Sequence, residues 1–172
     1  MNTLVILLRV IHLFGGVFWV GFALFNVAFL QPTIRGTGPD GQKVMQYLSQ
    51  KTRLLPVIYA AATLTMLSGL ALYWIDTGFR ADAMAMGSGL VLGIGGLAGI
   101  IAWSYAVLVI RGIFNQMGAI GQAIQAQGTP PTAEQSGQMQ ALVMRLGKAG
   151  KVAVTFMIVA LLAMAAARYT GN

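Results

Sequence analysis

Long apolar runs alternate with short polar ones along this chain, and four of the runs, at about residues 3–30, 54–75, 88–110 and 152–167, are of membrane-spanning length. Each approaches or exceeds the roughly 20 residues that cross about 30 Å of hydrocarbon at about 1.5 Å per residue. The first run also has an internal order. Arg9, His12, Gly16, Trp19, Ala23 and Asn26 recur every three or four residues, so one face of one helix holds every polar or notched position while Leu, Val, Ile and Phe cover the rest. An ionisable group turned toward lipid costs roughly 2.5 to 3.5 kcal/mol on insertion scales, so this face looks toward protein, cofactor or water. Asn26, near the far end of the span, reads as a packing residue. The run has no basic segment ahead of it, carries Arg9 inside it and exceeds a leader's apolar core, so it reads as an uncleaved helix.

The connections carry their own periodicity. After Pro39, Asp40 is placed to cap a helix at about 41–53 whose Val44, Tyr47 and Leu48 share a face, the pattern of an amphipathic helix lying at an interface. Pro56 falls near the start of the second span, where proline is tolerated. In the last connection Gly128-Thr-Pro-Pro131 stops a helix, and Thr132-Ala-Glu-Gln135 matches a capping box. The spacing of Met139, Leu142, Val143 and Leu146, and of Ile113, Met117, Ile120 and Ile124, extends spans three and four beyond the membrane as a helical hairpin over about 111–151.

Composition agrees with this pattern and adds an orientation. Of 172 residues, 57% are hydrophobic and 9% charged, whereas a soluble domain carries about a quarter charged residues. Four spans in this length leave no room for a separate soluble domain, and one membrane domain over 1–172 is expected. Arg35, Lys43, Lys51 and Arg53 lie in the first connection and Arg111, Arg145, Lys148 and Lys151 in the third, against Arg9, Arg80 and Arg168 on the other side. That bias puts both basic connections in the cytoplasm and both termini outside. The net charge of +7 therefore reads as topology signal and anionic-lipid contact, not as nucleic-acid binding. With no cysteine, disulfides, thiolate metal sites and a cysteine nucleophile are excluded. The four acids, Asp40, Asp76, Asp82 and Glu134, all lie in connections or at membrane edges, which argues against hydrolytic or proton-pumping chemistry.

What chemistry remains centres on His12, the sole histidine. It lies eight or nine residues from the end of its span, roughly 12 Å deep at about 1.5 Å per residue. The same level falls near Met66 and Gly69 in span two, Gly95 and Gly96 in span three, and Met157 to Met164 in span four. Haem b suits such a set: imidazole as axial ligand, methionine as a possible second, Arg9 to pair a propionate, and glycines to clear space. A second imidazole would come only from another copy or subunit. Three alternatives stay open. His12 and Arg9 are polar groups hydrogen-bonded inside the bundle; Gly89-x-x-x-Gly93 and Gly95-x-x-x-Gly99 serve helix packing within the chain or in a homo-oligomer; or Met84 and Met86, beside Asp82, offer thioethers of the kind that select Cu(I).

Arg9-x-x-His12-x-x-Gly15-x-x-x-Trp19-x-Gly21 resembles the first helix of the copper resistance protein D group and related small bacterial membrane proteins, and it is similar to that of the HemJ-type protoporphyrinogen oxidases. The ending Met164-Ala-Ala-Ala-Arg168-Tyr169 resembles the last helix of uncharacterised relatives of that group. Between these two stretches the likeness is of hydropathy alone. The resemblance implies a haem b ligand at His12, with Arg9 and Trp19 as further matching positions, in the inner membrane of a bacterium. The chain departs from the oxidases in having no lysine in any mid-membrane segment, and from the copper proteins in its single histidine. The expectation is an all-α, four-transmembrane-helix bundle with cytoplasmic helical extensions. It binds haem b through His12, with Arg9, Gly16, Trp19, Met66, Gly95 and Gly96 around it, and serves electron transfer or a larger membrane redox assembly.

Overall fold

The computed structural model describes residues 3–170, without the side chains of Pro39 and Gln42, and every regular element among them is helical. Six helices follow in order. They are α1 (Thr3–Gly36), α2 (Pro39–Gln50), α3 (Leu54–Thr77), α4 (Ala81–Ala85), α5 (Gly87–Gln127) and α6 (Ala133–Ala167). Of these, α1, α3, α5 and α6 are long and apolar enough to cross a membrane. Helix α1 packs chiefly on α3, and α5 chiefly on α6, while α3 against α5 and α1 against α6 close the ring.

Large apolar side chains cover the outside of this ring, as Leu13, Phe14 and Val17 do on α1. The centre is built instead from Trp19, Val20, Ile58 and Met157 around the small residues Ala62, Ala102 and Ala153. This inversion of size is what a bundle in lipid needs. Tails outside are as apolar as leucine, so helices adhere through close backbone approach more than through burial of bulky groups. Gly95 shows the approach most directly: a Cβ there would lie 3.1 Å from the Ala163 Cβ and 3.3 Å from the Ala160 carbonyl oxygen.

Two of the long helices widen locally. Asn26–Leu30 in α1 and Tyr105–Ile110 in α5 are π turns, in which the Gln31 amide bonds the Asn26 carbonyl and the Arg111 amide that of Ala106. The first has a physical cause in Pro32, which lacks the amide that an α-helix would offer to the carbonyl four residues back. Past the second turn, α5 continues without a break, and its Ile113 packs on Leu142, Leu146 and Ala149 of α6. The start of α6 carries the capping box: the Gln135 amide donates to the Thr132 hydroxyl at 3.2 Å, and the Thr132 amide donates to the Gln135 side-chain oxygen at 2.9 Å.

Helix α2 begins differently from the expectation. Gly38, in a left-handed conformation with φ 58°, takes the capping position and Pro39 the first turn, so Asp40 caps nothing and pairs instead with Lys43 at 2.9 Å. Proline's preset φ at the first helical position makes a side-chain cap at Asp40 unnecessary. Val44 and Tyr47 of α2 are exposed.

The packing makes a paired prediction. Leucine at Gly95 forces α5 and α6 apart, whereas leucine at Gly96, whose Cβ would meet nothing within 4 Å, does not. Both changes gain the same helix propensity, so their difference isolates the clash. Thermal unfolding in detergent should place the midpoint of Gly95→Leu about 3–10 °C below that of Gly96→Leu, the effect of roughly 1–3 kcal/mol of overpacking.

Candidate functional site

The His12 imidazole lies at the α1–α3 contact, half-buried. Its Nδ1 is 2.9 Å from the Thr65 carbonyl oxygen on α3. A carbonyl oxygen only accepts, so Nδ1 carries the proton and donates it. In the neutral imidazole Nε2 then keeps its lone pair. Two glycines let the ring reach that carbonyl. At Gly69, one turn beyond Thr65, a Cβ would stand 2.7 Å from the ring's Cε1 and 3.0 Å from Nδ1, so the imidazole fills the space a side chain would take. Gly15, on α1, lies so close to the Thr65 hydroxyl that a Cβ would collide with it, and one at Gly16 would touch the Thr65 methyl at 3.6 Å.

Behind the ring, α3 presents a small polar patch. The buried Thr65 hydroxyl donates to the Ala61 carbonyl at 2.8 Å, and the buried Ser68 hydroxyl lies 2.6 Å from the Leu64 carbonyl oxygen and 3.1 Å from that of Thr65. An imidazole fixed by an Nδ1–H to carbonyl bond, with Nε2 left as the free nitrogen, is the arrangement that orients metal-ligating histidines.

The remaining residues expected here divide. Trp19 is buried two turns along α1, in the central core. Arg9 is exposed and, among the described residues, has no hydrogen bond or ion pair. Met66 is half-buried but about 100° around α3 from Thr65, off the face that meets His12. Gly95 clears no space beside the imidazole: Ala160, Ala163 and Met164 of α6 fill its notch. Gly96 opens onto nothing within 4 Å. In the α4 region Met86 is exposed and Asp82 lies 3.7 Å from Arg80, and among the described residues no three of His, Cys, Asp and Glu converge.

Thr65 and Ser68 are the site residues that depth counting passed over. Their signal was present: with Gly69 they sit three and four residues apart on one face of span two, small polar groups of the kind that join helices in lipid. Asn26, expected as a packing residue, has its side-chain oxygen buried with no hydrogen-bond partner among the described residues.

The fit of His12 into the Gly69 notch predicts an energetic coupling. Gly69→Ala should lower thermal stability in the wild-type background although alanine favours helix, and should be neutral or stabilising in a His12→Ala background. A double-mutant cycle would read a coupling of about 1–3 kcal/mol if the two side chains share this space. Compared with family models, curated proteins and solved structures, the chain matches none.

Proposed function

We propose that this chain is a multi-pass protein of the bacterial inner membrane, with both termini outside, that binds haem b through the Nε2 of His12 and serves electron transfer or a larger membrane redox assembly. The observation that carries the reading is the hydrogen bond from Nδ1 to Thr65 O, which leaves Nε2 as the free ring nitrogen. Arg9, one helical turn away along α1 and without a partner among the described residues, supplies the cation for a propionate. His12 would hold the haem through its imidazole and Arg9 would pair a propionate, and with one histidine in the chain any second imidazole would have to come from a second copy or another subunit. The haem would supply a one-electron couple. The chain's own residues orient the ligand: Thr65 sets the tautomer, Gly69 gives the imidazole room, and Gly15 holds the two helices at the distance the bond requires. The eight-to-three bias of Lys and Arg toward the two basic connections supports the orientation.

A second reading has its own observation. Gly96 and Gly99 are open, with nothing within 4 Å of where a Cβ would stand. A second copy or a subunit seated there would make the chain a structural, non-catalytic component. On that reading Gly96→Leu abolishes a cross-linked dimer and His12→Ala leaves it intact.

The absorption spectrum of the purified protein separates the two. Haem ligation predicts a Soret band in wild type that is lost in His12→Ala, and haem affinity about 10- to 100-fold weaker in Gly69→Ala, the usual cost of disturbing a ligand's support. A wild-type protein without a Soret band, or a band unchanged in His12→Ala, would overturn the proposal.

A further inference from the structure

A cavity of about 90 Å³, partly open, lies at the end of the bundle that carries the basic connections, two turns and more beyond His12 along α1. Its wall is almost wholly apolar, with Trp19, Ala106, Ile110 and Met157 among the lining residues. Asn26 and Tyr59 also line it, and the Asn26 side-chain oxygen and the Tyr59 hydroxyl are the two buried side-chain polar atoms left without a hydrogen bond among the described residues. A buried polar atom without a partner costs about 1–3 kcal/mol, so two of them, in side chains that line one cavity but are covered from its open space, would gain by turning toward a partner there. Both π turns border the same space. Asn26 opens the first, and Ala106 and Ile110 belong to the second, and such local widenings concentrate at functional sites. The Arg111 guanidinium carbon stands 6.0 Å from the centre of the Tyr59 ring and helps to fix that side chain.

From these three coincident features we infer that the cavity is a binding site for the hydroxyl-bearing end of an apolar molecule dissolved in the bilayer, an alcohol or a phenol. The chemistry follows from the two orphans. The amide oxygen of Asn26 only accepts, and the Tyr59 hydroxyl can donate, so a ligand hydroxyl answers both: its proton goes to Asn26 and its oxygen receives Tyr59. Water alone is a poorer occupant. The volume would hold about three waters, each needing two to four polar partners, and beyond Asn26 and Tyr59 the lining offers few polar side chains, Gln31 and Ser49. An apolar body behind the hydroxyl matches that wall and extends through the open side. The site is independent of His12, which is not among its lining residues.

The probe is 4-bromophenol, with bromobenzene as the analogue that lacks the hydroxyl, and the readout is bromine quenching of tryptophan fluorescence in the detergent-purified full chain. Trp19 lines the cavity, so 4-bromophenol should quench saturably and Trp19→Phe should remove the saturable part. Asn26→Leu and the nearly isosteric Tyr59→Phe should each weaken 4-bromophenol about tenfold or more while leaving bromobenzene unchanged. Circular dichroism on Tyr59→Phe guards against a folding defect. Quenching that does not saturate, or equal 4-bromophenol affinity in wild type and Tyr59→Phe, would overturn the inference. So would an Asn26→Leu variant that gains stability with unaltered binding, since the two atoms would then be hydrated only.

Discussion

The contact between α1 and α3 is the constraint from which the rest of this bundle follows. In lipid, two apolar helices gain little by hiding leucines from surroundings that are equally apolar, so they join where side chains are missing and backbone polar groups come into reach. Gly15 brings α1 against Thr65, and Gly69 opens α3 to the imidazole of His12. The hydrogen bond that results spans 53 residues of sequence and links the two helices. An imidazole that lost Thr65 O would be a polar group stranded in hydrocarbon, so the bond and the notch each require the other.

The opposite pair works by the same rule with different residues. Gly95 admits the backbone of α6 near Ala160, while across the pairs Gly147 of α6 admits the Arg35 side chain of α1, whose guanidinium nitrogen lies 2.5 Å from where a Cβ would be. The bundle is therefore two tight pairs laid side by side. The space left between them at the basic-connection end, where the π turns re-aim Asn26 and Ala106, becomes the cavity.

Much of this was legible in the sequence because it depends on period and length. The four long helices, the capping box at Thr132 and the inward face from His12 to Trp19 all follow from spacing, and counting depth from the span ends placed Gly69 beside His12. Partner choice was legible only in part. Depth puts Met66, Gly69, Gly95 and Gly96 at one level, but only the rotation of each helix decides which of them meets the imidazole; in span two the small polar face of Thr65, Ser68 and Gly69 carries that signal, and in span three the glycines are too many to give one. Gly95 thus turned out to serve α6 and not His12. The π turn at Asn26 hid for another reason: its cause, the amide missing at Pro32, lies several residues away from its effect. Asp40 shows a third limit, since a proline at the first helical position removes the need for the side-chain cap that the residue type suggests.

The central claim is that Thr65 holds His12 by Nδ1 and frees Nε2. Because His12 is the sole histidine, a protein labelled with ¹⁵N-histidine gives one imidazole pair, free of overlap. Solid-state ¹⁵N spectra of the cofactor-free protein in bilayers at neutral pH should show a protonated, hydrogen-bonded Nδ1 and an unprotonated Nε2. A protonated Nε2 with a bare Nδ1 would contradict the account at its root.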